Sequence, residues 1–381
     1  MKSFNFKVTD HLSFYSENKI SPVNQNILNL KKHFMRRSYL YNKLGLSKNL
    51  ISKSRVLEIG PGSGHNSLYT ASCKPIFYDI VEPNKSAVIE IKKNFKKNKI
   101  KTPNINNITL EKFKSEIKYD IIICEGWIGS LDNEIKLIKK IFSLLNRNGF
   151  MLLTYQPATG MFANVLRKII SFKLLKKNQN MEEKSSSLLN FFDDELLTLK
   201  NMSRNKKDWI QDVIINPAII GSYLTPETIV SQIKGYSIFE TYPKFTDDWS
   251  WYKDHTYTNA EQKNFFLKFF YKNYLNFLDF QDSKIAISEK EGQKIDTILY
   301  NFYYKIFDEE NKHLDNYDYL KDYSIELLKK LKNKFKNNKK LQLIVIETLN
   351  FLKQKNNKKN YTVLKKIFGR ELNYINIQKT K

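Results

Sequence analysis

A short apolar strand that runs straight into alternating glycines limits this chain more than any other feature. Val56-Leu57-Glu58-Ile59 leads into Gly60-Pro61-Gly62-Ser63-Gly64, and Ser67–Ala71 continues as a helix. Gly60 permits a tight turn, and Gly62 lets backbone approach a ligand closely. Peptide N–H groups at the start of the following helix suit an anionic or polar group. The spacing is E-x-G-x-G-x-G, which differs from the G-x-G-x-x-G of dinucleotide sites.

The flanking pattern repeats strand and helix. Ile76–Val81 reads as a second strand and Lys85–Phe95 as a second helix, with Asn104–Thr109 as a weak third strand. In Tyr119–Cys124 the isoleucines run without alternation, the mark of a strand buried on both faces. Glu134–Leu145 is amphipathic, and Asn148-Gly149 turns into Phe150–Tyr155. Repeated βα units of this kind imply a parallel, doubly wound sheet. Before them, Ile27, Leu30, Phe34, Leu40 and Leu44 recur at helical spacing, closed by Gly45. After Pro157 the chain reads as mostly helical, with a polar loop near Asn178–Ser187. Thr225 and Pro226 fit an N-cap and first turn, and Tyr236–Phe245 fits a further strand. From Asn259 onward it reads as helical, with Phe265, Phe266, Phe269, Phe270, Tyr274 and Phe277 at bundle spacing.

These motifs resemble the class I S-adenosylmethionine (SAM) methyltransferases. The glycine run resembles their first motif. Ile80-Val81-Glu82 ends the second strand, where an acid accepts from ribose hydroxyls. Tyr119–Gly126 resembles the fourth-strand motif, and Asn148–Leu153 the entry to the fifth strand. A narrower resemblance is to a group of bacterial methyltransferases that carry GPGSGHN and CEG. It rests on Arg36–Tyr41, Gly64–Tyr69, Cys124-Glu125-Gly126, Leu199–Arg204, Asp208–Asp212 and Asp247–Lys253. The resemblance implies an α/β fold: a Rossmann-like doubly wound sheet with N-terminal helices, a helical cap insertion and an all-α C-terminal extension. The expected divisions are a lid over 1–50, a SAM-binding core over 51–157, a cap returning to the sheet over 158–257, and a helical extension over 258–381. It implies SAM as cofactor, with S-adenosylhomocysteine as product. The implied cofactor residues are Glu58, Gly60, Pro61, Gly62, Ser63, Gly64, Asn66, Glu82, Pro83, Glu125 and Gly126.

Methyl transfer is an in-line displacement, so the protein aligns the acceptor and removes a proton where needed. The turn Glu125-Gly126-Trp127 lacks the Asn/Asp-Pro-Pro-Tyr/Phe pattern used for amino groups of adenine or glutamine. Cys124 follows Ile123 rather than proline, against cytosine C5 chemistry. Catalytic candidates are Glu125 at the strand end, His65, which titrates near neutrality, and Asp208. Asp208 and Asp212 stand at i and i+4, which predicts one shared helix face. Acceptor-binding candidates are Trp127, Arg204, Trp209, Asp212 and Trp251. Five scattered histidines have no metal-ligand spacing, so no metal is expected.

Composition bears on partners. There are 64 Lys and Arg against 39 Asp and Glu, a formal net charge of +25. Lysine outnumbers arginine about eight to one, and the excess is spread along the chain. Phosphate recognition favours arginine and clustering on one face. The expected acceptor is therefore a small molecule or glycan, with nucleic acid disfavoured. The alternatives are an RNA or protein methyltransferase using the Lys-rich tail, or a non-catalytic SAM-binding scaffold. Two cysteines, no secretory leader and no apolar run near 18 residues lead to an expectation of a cytoplasmic protein without a membrane span. Self-association through the helical tail is the other expected partner.

Overall fold

The computed structural model describes residues 14, 18, 25–126, 134–217, 224–246, 251–254, 258–282, 285–354 and 361–381. Its strands are β1 (Arg55–Ile59), β2 (Phe77–Val81), β3 (Asn104–Asn106), β4 (Tyr119–Cys124), β5 (Leu145–Tyr155), β6 (Tyr236–Tyr242) and β7 (Asn373–Lys379). They form one seven-stranded sheet in the order β3-β2-β1-β4-β5-β7-β6. The first five are parallel, and β7 lies antiparallel between β5 and β6. The chain builds outward from β1 through β2 to β3, then crosses to β4 on the other side of β1. That reversal opens a crevice at the carboxyl ends of β1 and β4, the place where open α/β sheets bind ligands. Register fixes it: Ile59 pairs with Cys124, so Gly60 and Glu125 leave the sheet side by side.

Strand period explains the core. Val56, Ile80, Ile121, Ile123 and Leu152 face one cluster with Tyr41, Leu44, Leu68, Ile91 and Phe95. The intervening Ile122 is also fully buried, on the opposite face. Each such side chain contributes about 1.5–3 kcal/mol through burial. The helices flanking these strands are α1 (Leu30–Lys43), α2 (Lys48–Ser52), α3 (Ser67–Ser72), α4 (Lys85–Lys97) and α5 (Glu134–Ser143).

The chain divides into two compact units. The sheet unit comprises Ser21–Gln156, Leu224–Phe270 and Leu372–Lys381. The helical unit comprises Met1–Ile20, Pro157–Tyr223 and Tyr271–Glu371. After β5 the chain enters the helical unit as α6 (Ala158–Leu174), α7 (Met181–Leu197) and α8 (Lys206–Trp209), the last running into a π-helical stretch at Ile210–Ile215. It returns to the sheet unit as α9 (Pro226–Gln232) and β6, followed by α10 (Asn259–Lys272). The helical unit then continues through α11 (Glu289–Lys312), α12 (Tyr317–Lys334) and α13 (Lys339–Lys353) before β7 closes the sheet. Two antiparallel neighbours need only a short hairpin between them; here β6 and β7 are joined through most of the helical unit.

Helix α6 is the centre of the helical unit and is buried along nearly its whole length. Arg167 on it donates to Glu195 at 2.8 Å and to the carbonyls of Leu364 and Ile367 at 3.1 and 2.9 Å. Lys168 donates to Glu310 at 2.7 Å and to the Asn216 carbonyl at 3.1 Å. Glycine permits one close approach here: a Cβ on Gly160 would stand 2.2 Å from the Arg370 carbonyl oxygen.

Three elements differ from the sequence reading. The loop near Asn178–Ser187 is shorter, because Asn180 and Glu183 form a reciprocal capping box that starts α7 at Met181. The edge strand β3 keeps only Asn104–Asn106, since it pairs on one side alone. The region read as helical from Asn259 ends in β7. In it Asn373, Ile375, Asn376 and Ile377 are all buried, so the strand is covered on both faces. The pairing that makes this a strand comes from β5 and β6, far away in sequence.

Candidate cofactor site

The glycine turn takes its shape from backbone and one carboxylate. Gly60, Gly62 and Gly64 have φ of 65°, 58° and 73°. These left-handed values favour glycine, and at Gly64 a Cβ would also stand 2.8 Å from Ile91. The Gly60 N–H donates to the Val81 carbonyl at 2.8 Å, tying the turn to the end of β2. Glu82 follows, and its two oxygens accept from the Gly62 and Asn84 N–H groups, each at 2.9 Å. Burial pushes its carboxyl up to about 7, against the pull of those two N–H donors. Pro61 and Ser63 are buried in the turn, and the Ser63 carbonyl accepts from Asn94 at 3.0 Å. Pro83 is half-buried, and its carbonyl accepts from Asn107 at 3.1 Å.

Glu58 lies inside the sheet face rather than at its rim. It is buried, accepts from the Tyr78 hydroxyl, and is pushed up to about 7 by desolvation, aided by the nearby Glu125 charge. His65 is also buried. Its Nδ1 accepts the Gln25 N–H at 3.0 Å, and its carbonyl receives the His33 Nε2–H at 3.0 Å. Burial lowers His33 to about 4, which keeps that ring neutral and able to donate. Both bonds fasten the N-terminal segment to the glycine turn, and this favours an anchoring role for His65 over that of a general base.

Glu125, immediately after β4, sits in a group that sequence reading only partly anticipated. Arg37 of α1 donates to it at 2.6 Å, the Tyr41 hydroxyl at 3.2 Å, and Asn66 Nδ2 at 3.4 Å. Tyr374 of β7 stands beside Arg37. Spacing in the sequence does not single out Arg37 or Tyr41 as site residues. The available signal was an arginine in a lysine-dominated chain with a tyrosine four residues on, along an apolar helix face. Gly126, with φ 84°, donates to Thr154 Oγ1 at 2.8 Å.

Glu58, Gly60, Pro61, Gly62, Ser63, Gly64, Asn66, Glu82, Pro83, Glu125 and Gly126 therefore gather around the carboxyl ends of β1, β2 and β4. Trp251 is in the sheet unit and is 60% exposed, with Lys253 Nζ 4.7 Å from its ring centre. Arg204, Asp208, Trp209 and Asp212 belong to the helical unit. Arg204 pairs with Asp212 at 2.7 Å, and Trp209 is buried. The i, i+4 reading of Asp208 and Asp212 assumed α-helical winding, whereas the chain turns π-helical at Ile210. Asp212 is buried and Asp208 half-buried. Trp127 and Trp249 lie outside the described residues. Among those residues no three His, Cys, Asp or Glu side chains gather as a metal set. None of the described helices is long and apolar enough to cross a membrane.

Residues 32–199 match the family described as "Methyltransferase domain". That segment is a methyltransferase domain of the class I fold. S-adenosyl-L-methionine is the cofactor of such a domain. The methyltransferase domain also has structural likenesses. PKMT2 from Rickettsia typhi, solved in complex with AdoHcy, is 18% identical over 60% of this chain and 49% of its own, with a TM-score of 0.43. The N-methyltransferase NodS from Bradyrhizobium japonicum WM9 is 13% identical over 38% of this chain and 74% of its own, with a TM-score of 0.31. TehB from Haemophilus influenzae is 19% identical over 29% of this chain and 38% of its own, with a TM-score of 0.26. The match thus spans about half the length of the Rickettsia structure. No curated protein matches the chain.

Proposed function

We propose that this protein transfers the methyl group of SAM to a small-molecule or carbohydrate acceptor. The observation that carries the reading is the Glu82 carboxylate, buried at the end of β2 and bonded to the Gly62 N–H across the turn. Ionised, it has lone pairs left for the two ribose hydroxyls, and the glycine turn brings backbone close enough for the nucleoside to lie against it. Glu125 accepts from the methionine ammonium, and Glu58 supports the same end from within the sheet. Two buried polar atoms without partners, Arg37 Nε and Asn66 Oδ1, stand at that end and fit a charged amino-acid group. When bound, SAM supplies a methyl carbon on a sulfonium, which leaves with its electron pair on sulfur as S-adenosylhomocysteine. The protein's part is to hold the acceptor in line and exclude water.

The acceptor class rests on the surface. Trp251 and Tyr252 are both exposed and meet edge to face at 6.3 Å, a platform suited to a sugar ring. The Lys-rich helices interleave acids that take up their charge locally, as in Lys312 with Asp308 at 2.6 Å and Lys321 with Asp318 at 3.2 Å. That arrangement favours a small acceptor over RNA.

Calorimetric titration with SAM and S-adenosylhomocysteine, on wild type and Glu82→Ala, tests the cofactor half. Micromolar binding that collapses in the variant is expected. Folded wild type that binds neither ligand would overturn the reading. Transfer of labelled methyl to sugars, small metabolites and RNA then tests the acceptor half. Labelling confined to RNA and abolished by salt would overturn it.

A further inference from the structure

Residues 25–57 hold eight lysines and arginines and no aspartate or glutamate. The Lys-rich helices of the helical unit instead carry acids among their lysines. Arg37 and Arg55 find distant carboxylates in Glu125 and Asp120. Lys31, Lys32, Lys43 and Lys48 are exposed and pair with no acid among the described residues. Arg36 is exposed beside them, so the cations follow one another along α1 and into α2. Like charges gathered this way repel, and the surface gains from an opposite charge brought to it.

The same surface exposes apolar side chains. His33, Arg37 and Tyr41 form the buried face of α1. Helical winding puts Met35 and Tyr39 on the opposite face, one turn apart, 65% and 56% exposed. Leu28, just before the Asn29 N-cap, is 89% exposed. Beyond the helix, the exposed Phe239 ring lies against Gly45. A protein groove cannot enclose a helix whose other face is already packed, and Leu28 and Met35 offer no ring to stack on a base. A lipid interface needs neither. It takes apolar side chains between its headgroups and sets lysines beside lipid phosphates.

We infer that the outer face of α1 docks this protein on an anionic lipid surface, with Leu28, Met35 and Tyr39 among the headgroups and the unpaired lysines over their phosphates. The attachment is peripheral and needs no spanning helix. From the inner face of the same helix, Arg37 and Tyr41 bind Glu125. The docking face and the strand-end crevice are therefore one helix apart, about 10–12 Å. The inference does not depend on which acceptor is methylated.

The test is co-sedimentation of the full chain with vesicles of phosphatidylcholine alone and of about three parts phosphatidylcholine to one of phosphatidylglycerol. Wild type should bind the anionic vesicles and leave the neutral ones, a measurement that needs no variant to fold. Each lysine near the surface is worth about fivefold, so changing Lys31, Lys32, Lys43 and Lys48 together to Gln should weaken binding more than about 100-fold. The same change at Lys332, Lys334, Lys336 and Lys353, all exposed in the helical unit, should cost less than about fivefold. Equal losses from the two sets would reduce the binding to net charge and overturn the inference. So would wild type that ignores both vesicles or binds them equally. A second readout follows the apolar residues. Cys73 and Cys124 are buried, so an environment-sensitive dye attached to Met35→Cys reports that position. Its emission should shift to the blue with anionic vesicles and stay in place with RNA. An equal shift with RNA, or none with vesicles, would deny the surface a lipid partner.

Discussion

Arg167 in the helical unit and Arg37 in the sheet unit are both buried cations, yet their surroundings differ. Arg167 spreads its donors over Glu195, Asn164 and two carbonyls, with its guanidinium 4.3 Å from the Phe368 ring centre. Arg37 has one carboxylate and the Tyr41 hydroxyl on Nη2 and the Tyr374 side chain beside it, while its Nε has no partner. Glu347 and Glu82 repeat the contrast. Glu347 takes the N–H groups of Thr362, Val363 and Leu364 together with the Thr362 hydroxyl. Glu82 takes two N–H groups and keeps acceptor capacity. Charge that is fully matched within the protein holds a fold together. Charge that is half matched at a strand end is suited to receive a ligand, at some cost in stability.

The largest expected effect lies in the helical unit. Arg167→Ala strands Glu195 and two carbonyls and should cost about 3–5 kcal/mol in denaturant unfolding. Replacing both partners, Arg167→Met with Glu195→Leu, should recover most of it. A loss under about 1 kcal/mol for the single variant would erase the distinction between the units.

In the sheet unit the effect should appear in binding. Glu82→Ala removes charged hydrogen bonds to the ribose and should weaken SAM by about 1.5–3 kcal/mol in calorimetry. Affinity loss smaller than threefold would deny Glu82 that role.

Titration gives a smaller effect with a defined sign. Glu58, Glu82 and Glu371 rise on burial from 4.5 to about 7 in the folded protein. The folded state therefore holds protons that the unfolded state has already lost in that interval. Their contribution is full below pH 4.5 and declines as pH rises to about 7, on the order of 1 kcal/mol or more per group. Melting temperature across this range should fall, and Glu82→Gln should flatten its share. SAM affinity should move the other way, tightening as Glu82 ionises. Parallel pH trends in stability and affinity would break the account of Glu82.

The smallest effect is at Trp251. Removing this exposed ring should leave stability within about 0.5 kcal/mol while reducing methyl transfer to sugars. Unchanged transfer kinetics would remove the aromatic platform from the acceptor site.

Legibility in the sequence followed the range of the interactions. The glycine turn, Glu82 and the Tyr119–Cys124 strand were readable because each depends on neighbours along the chain: a turn needing left-handed φ, a strand-end acid, a continuous apolar run. Arg37 was less visible, since its role depends on Glu125, 88 positions away. The winding around Asp208 and Asp212 was not legible either, since the switch to π at Ile210 is a matter of packing.

The sequence by itself determined a parallel βα core with a glycine turn and acids at its strand ends. Periodicity, turn chemistry and strand-end position are local, and they do not wait for the rest of the chain to fold. Only the tertiary structure decided that residues 373–379 become the strand between β5 and β6. It also decided which buried charges are matched. Both depend on which partners the fold brings together, Phe150 with Gln378 in the sheet and Arg37 with Glu125 at its edge, and spacing along the chain does not say which pairs form.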